Sequence, residues 1–140
     1  MMYLAIEGNL TRDPEVKYLN DGKAICNFTL ADTASKKNRD TGEWEDEGTA
    51  FIRVTVFDKV AENAAATLKK GMHAFAYGRF KNRNWESNEG EKMDSYEMTA
   101  DIVGPSLKRQ TATVEKVANN AGGGGSTWNN APAANPSYGL

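Results

Sequence analysis

The sequence predicts an all-β domain, a five-stranded barrel with one α-helix between its third and fourth strands, followed by a disordered C-terminal tail. Three observations lead there. Short runs of alternating apolar residues recur between turn signals, a single segment carries helical periodicity, and from Leu107 onward the composition shifts to Gly, Asn and Pro. At 140 residues and 39% hydrophobic content the chain supports one modest core rather than two.

The elements follow in order. Tyr3 to Leu10 is a first strand, closed by Asn9 and the turn-prone Arg12-Asp13-Pro14, where proline removes a ladder donor. Asp21-Gly22 is a strong turn signal before Ala24 to Ala34, a long strand whose apolar alternation (Ile25, Phe28, Leu30) is interrupted once, as a bulge would do. The polar stretch Lys36 to Gly48, with Thr41-Gly42 inside it, reads as an extended hairpin loop into the strand Thr49 to Phe57. Val60, Ala64 and Leu68 repeat every four residues, which predicts a helix over about 59–70, with Asp58 capping its start and Gly71 closing its end. Met72 to Trp85 is one long strand, Ser87-Asn88-Glu89-Gly90 a hairpin turn, and Met93 to Val103 the last strand. Three strands, a helix and two strands is the order of an OB barrel.

The domain therefore spans residues 1–107. Residues 108–140, with the glycine run Gly122 to Gly125, cannot bury enough apolar surface to offset their ordering entropy and are expected to form a flexible tail. Cys26 is the only cysteine, and the sequence has neither a charged-then-apolar leader nor a long apolar run, so a reduced cytoplasmic location without membrane contact is expected.

A net charge of −2 argues, taken globally, against a phosphate-binding protein, so the distribution of charge decides. Lys69, Lys70, Arg79, Lys81 and Arg83 follow one another with no acid between Glu62 and Glu86, whereas Asp40 to Glu47 is an acidic stretch best explained as a solvated loop. In strands, alternate residues share a face. Thr49 to Phe57 divides into core-type Ile52, Val54 and Val56 and a second set, Phe51, Arg53, Thr55 and Phe57, that places a cation and a hydroxyl between aromatics. That second set suits bases stacked on rings beside phosphates, or else a protein interface. The strand Met72 to Trp85 repeats the theme, with Tyr77, Arg79, Lys81, Arg83 and Trp85 on one parity, provided no bulge near Gly78 swaps it. Trp85 could instead cover its own hairpin, but three cations in register favour a nucleic-acid stripe. Stacking is open to every base, so binding should tolerate sequence.

Catalysis finds little support. Lone His73 and lone Cys26 supply no base–nucleophile set, Asp94, Glu97 and Asp101 do not all share a strand face, and no phosphate-binding Gly-rich loop with a following Lys-Ser/Thr is present. No cofactor is expected.

Gly8-Asn9-Leu10, Asp13-Pro14-Glu15-Val16-Lys17-Tyr18, Asn27-Phe28-Thr29-Leu30-Ala31, Phe51-Ile52-Arg53-Val54-Thr55-Val56-Phe57, Leu68-Lys69-Lys70-Gly71 and Gly78-Arg79 with Arg83-Asn84-Trp85 occur in an order that resembles the bacterial and phage single-stranded DNA-binding proteins, over roughly residues 3–105. The resemblance implies an OB-fold subunit, usually a homotetramer, that coats single strands during replication, recombination and repair in the cytoplasm, associated with the nucleoid. It maps stacking aromatics onto Phe51, Phe57 and Trp85. A further family tryptophan, in the loop after the second strand, falls near Lys36, so that stacking site is expected to be missing or replaced by a phosphate contact. The candidate DNA-contacting residues are thus Phe51, Arg53, Phe57, Arg79, Lys81, Arg83 and Trp85, with Lys17, Lys36 and Lys59 as further cations. Family members end in an acidic tip that recruits replication and repair enzymes, and the absence of Asp or Glu after Glu115 puts recruitment by that route in doubt. The alternative is a primosome or recombination accessory protein of the same fold that binds mainly protein partners.

Overall fold

A computed structural model describes residues 2–117; the expectations for 118–140 lie outside the described residues. The elements run β1 (Met2–Leu10), β2 (Glu15–Tyr18), β3 (Ala24–Lys37), β4 (Trp44–Phe57), α1 (Asp58–Thr67), β5 (His73–Glu86) and β6 (Lys92–Pro105). The chain divides into two units, Met1–Gln110 and Thr111–Leu140, and within the second, residues 111–117 carry no regular secondary structure.

The strand order is β1-β5-β6-β4-β3-β2, and an additional β1–β3 pairing (Asn9 to Ala31, Leu10 to Leu30) closes β1, β5, β6, β4 and β3 into a five-membered ring. Only β4 and β6 run parallel. This is the OB-type barrel expected from the element order. The sixth strand, β2, pairs with β3 outside the ring (Glu15 to Asn27, Tyr18 to Ala24), and its four residues are all exposed, so it leaves no apolar alternation to detect.

Alternation sets the core. Ala24, Cys26, Phe28 and Leu30 of β3, Val54 and Val56 of β4, Ala74 and Ala76 of β5, and Met98 and Ala100 of β6 point inward and are buried. The interruption expected in β3 is absent there: Cys26 continues the inward series, and Ile25 belongs to the outer face. Burial pushes the Cys26 thiol pKa up. Inward positions of β5 are small because a five-stranded barrel is narrow, and Gly78 is the extreme case: an added Cβ would lie 2.2 Å from the Thr99 carbonyl oxygen.

Two irregularities re-aim strands. Tyr77 pairs with Ile102 but Gly78 with Ala100, so Asp101 is an extra residue in β6. The bulge near Gly78 therefore lies in the partner strand, and β5 keeps one parity throughout, Ala74, Ala76 and Gly78 in, Tyr77, Arg79 and Lys81 out. Ala34 pairs with Gly48 but Ser35 with Asp46, so Glu47 is an extra residue in β4, beside Gly48 at φ 126°.

The stretch 36–48 is mostly not a loop. β3 and β4 continue as a two-stranded ribbon to Lys37 and Trp44, held by a Thr33–Thr49 hydroxyl pair at 2.9 Å and an Asn38 amide that donates to Glu45 at 2.7 Å. The turn hangs on Asn38, whose Oδ1 accepts from the amides of Asp40 and Thr41 and whose carbonyl accepts from Gly42.

Helix α1 brings Ala61 and Ala64, with Leu68 just past its end, into the core. Its start differs from expectation. Phe57 occupies the N-cap with no side-chain cap bond, because the helix begins directly on the last strand residue, and Asp58 inside it takes φ 60°. The C-terminus closes at Leu68, whose amide donates to the Ala64 carbonyl; Gly71 at φ 83° serves the turn beyond, donating to Leu10.

At the far end of β6, Lys108 Nζ donates to Glu7 at 2.6 Å and Gln110 Nε2 to the carbonyls of His73 and Ser106 at 2.7 and 2.6 Å. The Lys108 hydrogen bond holds the Glu7 carboxyl below the usual range. The expected domain boundary at 107 is thus followed by three residues of which two are tied to the barrel.

Candidate nucleic-acid interface

Residues paired across strands share a face and stand about 5 Å apart, so the registers map the barrel's outer surface row by row. Lys17, Ile25 and Phe57 form one row across β2, β3 and β4. Glu15, Asn27, Thr55, Thr99, Arg79 and Tyr3 form the next, crossing every strand of the sheet. Thr29, Arg53, Glu97 and Lys81 follow, and beyond them lie Ala31 with Phe51, Arg83 with Ser95, and Trp85 with Met93.

One continuous outer face therefore carries Phe51, Arg53 and Phe57 from β4, Arg79, Lys81, Arg83 and Trp85 from β5, and Lys17 from β2. Phe51 is 57% exposed, and Phe57 and Trp85 are each 41% exposed, so ring faces are available to a ligand. Arg53 and Lys81 are two strands apart, about 10 Å at the usual strand spacing. Arg83 lies over the Trp85 ring, its guanidinium carbon 5.5 Å from the centroid, which couples a cation to the aromatic it accompanies. Asn27 Oδ1 accepts the Thr55 hydroxyl at 2.7 Å, tying the floor between the aromatic positions. A small concavity lined by Arg12, Asp13, Asn27, Thr29 and Arg53 opens on this face.

Two expected cations sit elsewhere. Lys59 belongs to α1, where it pairs with Glu62 at 3.8 Å one turn on. Lys36 pairs with Glu45 on the opposite side of the ribbon from Phe51, and the neighbouring Lys37 is the lysine on the Phe51 side.

Two residues were not legible as part of this face. Trp44 is 71% exposed and pairs with Lys37. Counted from Phe51 by strict alternation it falls on the inward parity; the extra Glu47 shifts the count by one and turns it to the Phe51 side. A tryptophan a few residues past Lys36, Lys37 and Arg39 in the chain is the signal that composition alone carried. Glu97 is the other: it stands in register with both Arg53 and Lys81, and its carboxylate lies 3.9 Å from Lys81 and 3.7 Å from Arg83.

The rest of the outer surface is different. Phe75, Tyr77 and Ile102 are exposed on β5 and β6, the Asp101 bulge turning Ile102 outward beside Tyr77, and Tyr3, at the β1 end of the Arg79 row, brings its ring to 5.9 Å from that of Tyr77. No helix among the described residues is long and apolar enough to cross a membrane, and among them no cluster of His, Cys, Asp and Glu could hold a metal ion.

Comparison with known proteins finds relatives over most of the chain. The model of the single-strand binding protein family matches residues 1–106. A single-stranded DNA-binding protein of Mycobacterium tuberculosis is 43% identical over 130 residues, 93% of this chain and 79% of that protein. One from Paenarthrobacter aurescens is 39% identical over 135 residues, 94% and 79% of the two chains. The crystal structure of a small single-stranded DNA-binding protein from Streptomyces coelicolor superposes with a TM-score of 0.67 at 29% identity, covering 78% of this chain and 97% of that one. On the strength of the family match across the whole barrel and of relatives this similar over most of their length, the chain belongs to the single-strand binding protein family.

Proposed function

We propose that this chain binds and protects single-stranded DNA with little sequence preference during replication, recombination and repair, by stacking bases on Phe51, Phe57, Trp85 and Trp44 and pairing phosphates with Arg53, Arg79, Lys81 and Arg83. It is a binding protein and not an enzyme. The observation that carries the mechanism is the interleaving of exposed rings and cations on one sheet face. Stacking supplies about 1–3 kcal/mol per base whatever the base, and each phosphate neutralised adds about 0.7 to the salt slope on a single strand. Of the acidic residues in the 40–47 turn and ribbon, Glu45 faces away from Phe51, whereas Asp46 pairs with Ser35 on the side that carries Phe51 and Trp44.

Titrating the protein's tryptophan fluorescence with homopolymer DNA and RNA at two salt concentrations tests this. Quenching by DNA of any base, weakening steeply with salt, is expected, and the slope should fall by about 0.7 in Lys81→Ala or Arg83→Ala. Equal slopes would place those cations off the path of the strand.

The exposed Tyr3, Phe75, Tyr77 and Ile102 patch supports a homotetramer, since apolar side chains of this size on a sheet face are normally covered by another protein surface. Sedimentation equilibrium should give four times the chain mass. A monomer at micromolar concentration would instead favour the accessory-protein reading, with the patch engaging a different partner.

A further inference from the structure

We propose that Glu97 is a built-in competitor for the DNA phosphate, a carboxylate that holds Lys81 and Arg83 in the free protein and keeps bound strands exchangeable. The inference rests on the single-stranded DNA reading above. Glu97 is the only acidic side chain in the row Thr29, Arg53, Glu97, Lys81, and cations flank it on both sides, Arg53 on β4 and Lys81 on β5. Its two oxygens are divided between partners, Oε2 lying 3.9 Å from Lys81 Nζ and Oε1 3.7 Å from Arg83 Nη1.

The geometry is that of a loose, displaceable pair. Both distances exceed the 2.7–2.9 Å of a tight charged hydrogen bond. The Lys81 and Arg83 side chains are 71% and 61% exposed, whereas that of Glu97 is 22% exposed, so the cations present open donors to solvent above a carboxylate set lower in the sheet. Exposed pairs of this kind contribute about 0–1 kcal/mol, too little to prevent a phosphate from taking the cations. Once it does, the carboxylate remains beneath, cancelling one positive charge and repelling the phosphate. The effect acts on the backbone and not the base, so it should be the same for every homopolymer.

The test uses the full chain, a fluorescein-labelled oligo(dT) and anisotropy across a KCl series. Glu97→Gln, which keeps the shape and removes the charge, should bind about fivefold more tightly, equivalent to about 1 kcal/mol, with a salt slope steeper by about 0.7. Glu97→Asp, which keeps the charge, should keep the original slope. A parallel comparison of Lys81→Gln in the original and Glu97→Gln backgrounds should show a larger loss where the carboxylate is gone, and strictly additive losses would overturn the proposal. So would a Glu97→Gln protein of unchanged melting temperature that binds equally or more weakly, since Glu97 would then be positioning its cations rather than competing for them. Failure of the unaltered protein to bind oligo(dT) would remove the parent reading; normal binding with an unresponsive Glu97→Gln variant removes only this one.

Discussion

Phe51→Ala is expected to lower affinity for oligo(dT) by about 5- to 150-fold, the equivalent of about 1–3 kcal/mol for one lost stack. Phe51 is more than half exposed on the outer face, in register with Ala31 and one alternation from Arg53, so its ring supports little of the core and its removal should leave the melting temperature close to unchanged. Phe57 is less exposed and occupies the N-cap of α1, so Phe57→Ala mixes a binding loss with a change at the helix start. Trp85→Ala should combine loss of affinity with loss of much of the fluorescence quenching. Anisotropy titrations paired with thermal melts separate these effects, and an affinity change below twofold for Phe51→Ala would remove that ring from the strand's path.

The largest stability effect is expected at Gly78. A methyl group there would meet the Thr99 carbonyl oxygen at 2.2 Å and the Ala100 Cα at 2.5 Å, both backbone atoms of the strand that forms the bulge. No side chain can rotate away, so β5 and β6 must separate where both are part of the closed ring. Gly78→Ala should cost about 3 kcal/mol, at the upper end of overpacking effects, and lower the melting temperature by more than about 10 °C for a domain of this size. Gly104→Ala is the comparison. Its new methyl group would approach the Phe75 ring at 3.1 Å, and that half-exposed side chain has room to move, so the loss should be much smaller. Melts monitored by circular dichroism decide between them, and equal losses would mean that the close approach of the two strands is not what Gly78 provides.

What could be read in the sequence was what repeats within a strand or helix. The inward Val54 and Val56 and outward Phe51 and Arg53 follow from alternation, as do the outward Arg79 and Lys81, and the position of α1 follows from Val60, Ala64 and Leu68. Alternation fails where both faces are wet. The ribbon 32–50 is exposed on each side, so its strands carry no apolar period, and Glu15–Tyr18, exposed at all four residues, is invisible for the same reason. Relations between strands were not legible either. One extra residue, Glu47, decides that Trp44 and not a neighbour faces with Phe51, and only the β4–β6 and β5–β6 registers bring Glu97 among the cations. Asp58 matched a capping pattern, but the strand runs directly into the helix and leaves the cap to Phe57.

Single-stranded DNA is expected to lie across one outer face of the barrel, and photo-crosslinking locates the strand directly. Oligo(dT) carrying 5-iododeoxyuridine, irradiated with the full chain and followed by peptide mapping, should label Trp44, Phe51, Phe57 and Trp85. Labelling confined to Tyr3, Phe75 and Tyr77, or to the chain beyond Gln110, would contradict it.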